Sequence, residues 1–267
     1  MKCNFNRKAK CSFIFFIILL CGVLIKFTWE RKEINYLNSD LYRIIKTNTI
    51  TEIINEMYKN STKGPCITYN KIAYITIDDG PSKFTNQILD ILDKHNVKAT
   101  FFMINRNMNR YKDEVNRISE EGHGVGFHSV SHDVDKLYET PESALNEFYV
   151  CKDTFEEITG NTSNLVRLPY GSKPYTPEES YKNLIENDLL VWDWNLDTED
   201  WKATADNILS NILLYGRNKE DLVILMHEKE QTVEALEGII MVLKERGYRI
   251  LPITEDKEAM NFWSKNL

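Results

Sequence analysis

The chain has 267 residues, with 33 Lys or Arg against 40 Asp or Glu, a formal net charge of −7. That balance speaks against nucleic acid as a partner, and 42% hydrophobic with 27% charged residues is the make-up of a globular domain rather than a disordered chain. Five cysteines without regular spacing make no disulfide framework, so a chain of this length relies on a buried apolar core.

Lys2, Arg7, Lys8 and Lys10 precede an uncharged run from Cys11 to Ile25. A positive flank before an apolar segment predicts a signal anchor over residues 1–27, with the cytoplasm on its N-terminal side. The run is shorter than the roughly 20 residues of a full span, but Lys26 can snorkel and Phe27 and Trp29 suit the interface. No Ala-x-Ala-like site follows, so a cleaved signal peptide, giving a secreted protein, is the second reading. The remainder is then expected outside the cytoplasm, tethered to the cell membrane through residues 11–27. Residues 28–65 read as a helical linker, with Leu37, Leu41, Ile44 and Ile45 on one helix face and Ile50, Ile53, Ile54 and Met57 on a second. Asn60 to Pro65 marks a boundary, and residues 66–267 are the expected folded domain.

Beyond Pro65, apolar runs alternate with helical patterns. Strands are expected at 71–78, 97–104, 123–127, 164–168, 189–195, 222–227 and 248–253. Helices are expected at Thr85 to Asn96, Asp113 to Glu121, Ser143 to Thr159, Thr204 to Tyr215 and Thr232 to Arg246. Seven strands with helical crossovers imply a parallel, barrel-like α/β fold, whose sites gather at strand C-terminal ends. Cys151 falls among Leu145, Phe148, Phe155 and Ile158 of a helical pattern, which favours a buried free thiol over a bridge to Cys66.

The first strand ends in Asp78-Asp79-Gly80-Pro81. Two carboxylates this close repel unless a cation or a proton sits between them; a solvated loop is the competing reading. His128 and His132 follow the Gly-rich stretch from Gly122 to Phe127, and a spacing of four would point both the same way from one helical turn. Two His with one carboxylate leave an open position on a zinc-type ion. Arg167-Leu168-Pro169-Tyr170-Gly171 reads as a rigid loop whose remaining N–H groups can face an oxyanion, and Arg167 could hold a carboxylate through paired hydrogen bonds. Between Trp192 and Trp201, three Trp interleave with acids, as suits an aromatic face for a sugar ring. One of Trp192 and Trp194 is expected in the core, Trp201 outside it. Leu222 to Met226 is an apolar strand ending in His227.

In chain order, Thr76-Ile77-Asp78-Asp79-Gly80-Pro81, His128-Ser129-Val130-Ser131-His132, Arg167-Leu168-Pro169-Tyr170-Gly171, Asp197-Thr198-Glu199-Asp200-Trp201 and Leu225-Met226-His227 resemble five motifs. They are those of the carbohydrate esterase family 4 polysaccharide deacetylases, the NodB-homology domain. The resemblance spans Ile67 to Ile253 and implies a distorted, incomplete (β/α) barrel. By motif it makes Asp79, His128 and His132 metal ligands, Asp78 the general base and Arg167 the residue that holds the base. Tyr170 matches the position whose backbone N–H completes an oxyanion hole. His227 matches the general acid, Asp200 the acid that tunes it, with Asp197 second, and Trp201 and Leu225 match walls of the acetyl pocket. Ile77 stands where Phe is frequent and Glu228 where Asp is frequent, neither being expected to touch the chemistry. Some relatives that act on muramic acid lack the second Asp of the first motif; Asp79 is present here, which points to the metal-dependent branch.

The expected activity is removal of acetyl from N-acetylglucosamine units of an extracytoplasmic polysaccharide, peptidoglycan foremost, with one divalent ion, zinc before cobalt or another. Chitin-like oligomers, poly-N-acetylglucosamine and O-acetylated xylan stay open as polymers. A catalytically inactive glycan-binding module is the first rival, and the complete set of Asp78, Asp79, His128, His132 and His227 argues against it. A metal phosphoesterase built on the Asp pair is the second, and the chain has no Gly-rich phosphate cradle near these motifs.

Overall fold

A computed structural model describes residues 71–216 and 219–267. Its strands are β1 (Lys71–Asp78), β2 (Thr100–Met103), β3 (Gly124–Phe127), β4 (Leu165–Val166), β5 (Leu190–Val191), β6 (Leu196–Asp197), β7 (Asp221–His227) and β8 (Tyr248–Ile250). Its helices are α1 (Thr85–Lys94), α2 (Asn105–Arg110), α3 (Lys112–Glu120), α4 (Val134–Leu137), α5 (Ser143–Thr159), α6 (Glu178–Glu186), α7 (Ala205–Tyr215) and α8 (Glu230–Glu245). The strands pair in the order β5-β4-β3-β2-β1-β7-β6, all parallel, and β8 also pairs with β1. β8 takes the first half of β1, from Lys71 opposite Tyr248, and β2 takes the second, to Asp78 opposite Phe102. Among the described residues no pairing joins β5 to β6, so the barrel is incomplete, as the family resemblance implies.

Alternation along the strands divides the core in two. Ala73, Ile75 and Ile77 of β1, Leu222, Ile224 and Met226 of β7, and Val125 and Phe127 of β3 share one apolar cluster with the helices. The opposite face of the same strands carries Tyr74, Phe102, Leu165, Trp192 and Val223, a smaller cluster inside the half-barrel. Continuing that inner row by twos reaches Thr76 and Asp78, Leu225 and His227, and Arg167. The period of two thus aims the polar groups at the strand ends into one space.

Two sequence expectations change. The run 189–195 is not one strand: only Leu190–Val191 (β5) pair in it, Trp192 to Asn195 leave the sheet, and a separate strand, β6, follows at Leu196–Asp197, which makes eight strands rather than seven. Helices α2, α4 and α6 were not anticipated. Each is short and polar and buries few side chains, such as Asn105 and Met108 on α2 or Ser180 and Leu184 on α6, so the apolar positions of each are too few to stand out from a loop. Helix α5 matches its expected bounds and stops at Gly160, in the left-handed conformation glycine adopts without a Cβ penalty. Its Cys151 is a buried free thiol whose pKa burial pushes up. The predicted anchor (1–27), the linker (28–65) and Cys66 lie outside the described residues, and no helix among the described residues is long and apolar enough to cross a membrane.

Candidate active site

Asp78 is buried at the end of β1, and Arg167, fully buried just beyond β4, meets it. Arg167 Nη1 lies 2.9 Å from Asp78 Oδ1 and 2.6 Å from Thr76 Oγ1. Nε donates to the carbonyl of Trp192 at 3.0 Å and Nη2 to that of Asp193 at 2.9 Å. The guanidinium also stacks 4.2 Å from the Phe102 ring centroid. The paired carboxylate hydrogen bonds expected of Arg167 are therefore not formed. One N–H takes Asp78, another the Thr76 hydroxyl, and Nε and Nη2 reach backbone carbonyls that the departing Trp192–Asp193 segment brings inward. A charge this buried is tolerable only with donors so fully used.

The second carboxylate turns outward. Asp79 has a left-handed backbone (φ 69°), and its carbonyl accepts from Asn107 Nδ2 at 2.7 Å. Its Oδ1 lies 3.4 Å from His132 Nε2 and 3.7 Å from His128 Nε2, with one ligand atom from each residue within 4.8 Å of the others. That oxygen is buried, yet it has no hydrogen-bond partner among the described residues. His128 Nδ1 is 2.7 Å from the carbonyl of Arg167, so Nδ1 carries the proton and Nε2 offers its lone pair to the cluster. Burial lowers the pKa of His128 and outweighs the nearby Asp78 and Asp79, which keeps it neutral. An orphaned carboxylate oxygen with two imidazoles fits a divalent cation that prefers nitrogen and oxygen donors.

His128 and His132 do not sit on one helical turn. Their segment is an irregular loop with left-handed Ser129 (φ 72°) and His132 (φ 51°). It is bent into place by Glu147 of α5, whose Oε2 accepts from the N–H groups of Val130 and Ser131, each at 2.9 Å, and by Ser129 Oγ, which accepts from the N–H of His132 at 2.9 Å. The rings still converge, with centroids 5.0 Å apart.

Across the site, His227 ends β7 in register with Asp78. Its Nδ1 is 2.7 Å from Asp200 Oδ1, and its backbone N–H donates to Asp200 Oδ2 at 2.6 Å. Thr232 Oγ1 donates to the same Oδ2 at 2.7 Å, and Gln231 Nε2 to the Asp200 carbonyl at 2.6 Å. Burial works to lower the pKa of His227, but the hydrogen bond and charge of Asp200, with Asp78 and Asp79 behind it, raise it to about 9. Asp197 takes no part in this pair; its carboxylate caps the N–H of Glu199 at 2.7 Å.

Tyr170 is exposed, in a left-handed conformation (φ 65°), its ring edge-on to His132 at 5.2 Å. Its N–H has no hydrogen-bond partner among the described residues. Leu225 is buried two residues before His227, while Trp201 is 60% exposed beside Asp200 and so stands at the rim. Of the other tryptophans, Trp192 is the core residue and Trp194 packs edge-on to Phe262.

The sequence does not single out Thr76, Asn107, Glu147, Asp193 and Thr232, which act through side chains, carbonyls or N–H groups of the segments above. Glu228, expected to stay outside the chemistry, has a structural part. Glu228 is buried, and its Oε2 accepts from Ser82 Oγ at 2.6 Å and Thr85 Oγ1 at 2.7 Å, so it braces the turn after Asp79. Only Thr76 had a sequence signal, since Thr in an otherwise apolar buried strand needs a partner.

Comparison with known proteins agrees with this geometry. A family model described as polysaccharide deacetylase matches residues 67–185. The chain is 42% identical over 185 residues to YheN of Bacillus subtilis, a match covering 67% of this chain and 66% of that protein. It is 38% identical over 205 residues to a peptidoglycan-N-acetylglucosamine deacetylase of Bacillus cereus, covering 73% of this chain and 74% of that protein. The crystal structure of a Bacillus cereus polysaccharide deacetylase superposes with a TM-score of 0.70 at 38% identity, covering 73% of this chain and 98% of that one.

Proposed function

The chain belongs to the polysaccharide deacetylase family, hydrolases that cleave amide bonds, and we propose that it removes acetyl from N-acetylglucosamine units of peptidoglycan in a metal-dependent reaction outside the cytoplasm. The observation that carries this reading is the orphaned Asp79 oxygen between His128 and His132, flanked by the Asp78–Arg167 pair and by the Asp200–His227 pair. Peptidoglycan as the polymer rests on the relatives in Bacillus cereus and Listeria monocytogenes that bear that activity in their names. The location rests on the basic flank and apolar run of residues 1–27.

A divalent ion held by Asp79, His128 and His132 would lower the pKa of a water toward about 7 and polarise the acetyl carbonyl. Asp78 has the place of the general base: it is buried, ionically paired to Arg167, and adjacent to the cluster, so it can take a proton from the attacking water. Arg167 holds that carboxylate in one orientation. The free N–H of Tyr170 suits the oxygen that gains charge as the carbonyl becomes tetrahedral. His227, kept cationic by Asp200, supplies a proton to the leaving amine, without which the C–N bond does not break at neutral pH. Leu225 and Trp201 would limit the acetyl side of the pocket.

The test is mass spectrometry of peptidoglycan and of N-acetylglucosamine oligomers after incubation with the purified chain. Free glucosamine units in peptidoglycan are expected, with acetate released in equal amount. Intact substrate in every case, with glycan still bound, would mean a binding module; loss of ester-linked acetyl alone would assign an O-deacetylase.

A further inference from the structure

The carbonyl of Asp193 holds Arg167, but its carboxylate, completely buried, has no part in the chemistry derived above. It sits where the chain leaves β5 before entering β6, at the unpaired seam of the half-barrel. Its Oδ1 accepts from the N–H of Ser172 at 2.8 Å, and its Oδ2 accepts from the Ser172 hydroxyl and from the N–H of Phe262 at 2.7 Å. Its own N–H donates to the carbonyl of Met260 at 2.9 Å, and its carbonyl accepts from Arg167 Nη2. From the other side, Trp263 Nε1 donates to the carbonyl of Ser172 at 2.9 Å. Between these ties, Gly171 (φ 88°) is tightly enclosed: a Cβ there would lie 3.0 Å from the Phe262 ring and 3.1 Å from the Trp194 ring, closer than ordinary van der Waals contact.

We propose that Asp193 is a positioning residue that locks the Tyr170 loop against a C-terminal hook, residues 259–267, and thereby fixes the direction of the Tyr170 N–H. Tyr170 and Gly171 both occupy left-handed conformations, which a free loop does not hold for a tyrosine. Ser172 is the first residue beyond them with both backbone groups fixed, one by Asp193 and one by the hook. An acceptor-only carboxylate meets three donors there. Asparagine would present an NH₂ group to at least one of those donors and break the set while keeping the shape.

The proposal rests on the deacetylase reading, in which the Tyr170 N–H faces the developing oxyanion. Such an interaction is made in the transition state alone, so its loss lowers kcat and leaves KM. The experiment compares the full chain with Asp193→Asn, Ser172→Ala and the double variant, by kinetics on an N-acetylglucosamine oligomer, metal content and backbone amide exchange. We expect kcat for Asp193→Asn to fall by about 10- to 100-fold, less than the 10²- to 10³-fold of a deleted donor, with KM and metal content unchanged. Ser172→Ala, which keeps the fold if the asparagine variant does not, should show a smaller fall of the same kind, and the double variant should be no worse than Asp193→Asn. Amides of the Tyr170 loop and of the hook should exchange faster together, while those of β7 do not. Unchanged kcat, a rise in KM alone, or additive losses would overturn the proposal. If the wild-type chain released no acetate, the deacetylase reading would fall by itself. Exchange would then decide the coupling: joint acceleration upholds the lock, and acceleration of one segment alone overturns it.

Discussion

The carbonyl of Arg167 lies 2.7 Å from His128 Nδ1, while the guanidinium of the same residue lies 2.9 Å from Asp78 Oδ1. One residue therefore orients the proposed base with its side chain and sets the tautomer of a proposed metal ligand with its backbone. The two halves of the site cannot move independently.

Arg167→Lys should separate these functions. The carbonyl stays, so metal content should hold. An ammonium cannot reach Asp78, Thr76 and the two carbonyls at once, nor stack on Phe102 in the same way. Turnover should fall at least tenfold, and unfolding should cost about 3–5 kcal/mol less, the usual result of breaking a buried pair. Chemical denaturation with metal analysis on the same sample checks both.

The pH profile reports His227. As an acid it must be protonated, so activity should decline on the basic side as pH approaches about 9, or somewhat lower, because a bound cation offsets the charge of Asp79. Asp200→Asn removes the carboxylate that raises this pKa, and the basic limb should move to lower pH. Stability follows the same sign. A pKa raised above about 6.5 in the unfolded chain contributes stability that is full below that pH and is lost as pH rises through about 9. Thermal melts from pH 6 to 10 should show this loss in wild type and not in Asp200→Asn.

Glu147→Gln keeps the helix and the shape but weakens the acceptor for two backbone donors that bend the His128–His132 loop. Outer supports of this kind typically change metal affinity by about 10- to 100-fold. Competition with a chromophoric chelator should show weaker zinc binding, and an unchanged affinity would remove Glu147 from the site.

A side chain at Gly80 would overlap Glu228 Oε1, an oxygen that is itself buried and has no hydrogen-bond partner among the described residues. Gly80→Ala should destabilise by about 1–3 kcal/mol through overpacking. Glu228→Asp, one methylene shorter, should recover part of that loss in the double variant, a coupling that denaturation midpoints measure directly.

The strand ends were legible because the signal is local. Apolar runs with period two end in Asp78 and His227, and alternation alone aims both inward. The helical turn assumed for His128 and His132 was wrong because the bend comes from Glu147, outside the segment and on helix α5. The paired contact expected for Arg167 failed for the same kind of reason. Its partners are carbonyls of Trp192 and Asp193, and backbone acceptors leave no mark in a sequence. The hook was illegible because Phe262 acts through Asp193 at the seam between β5 and β6, which exists only because the chain leaves the sheet after Val191.

The most direct test of the account is acetate release from N-acetylglucosamine oligomers by one preparation, stripped with a chelator and then reloaded with zinc, beside His128→Ala. Release should be lost on stripping and return as the wild-type chain binds one ion, whereas His128→Ala should neither bind the ion nor recover. Full turnover by metal-free protein, or wild-type metal content in His128→Ala, would contradict it.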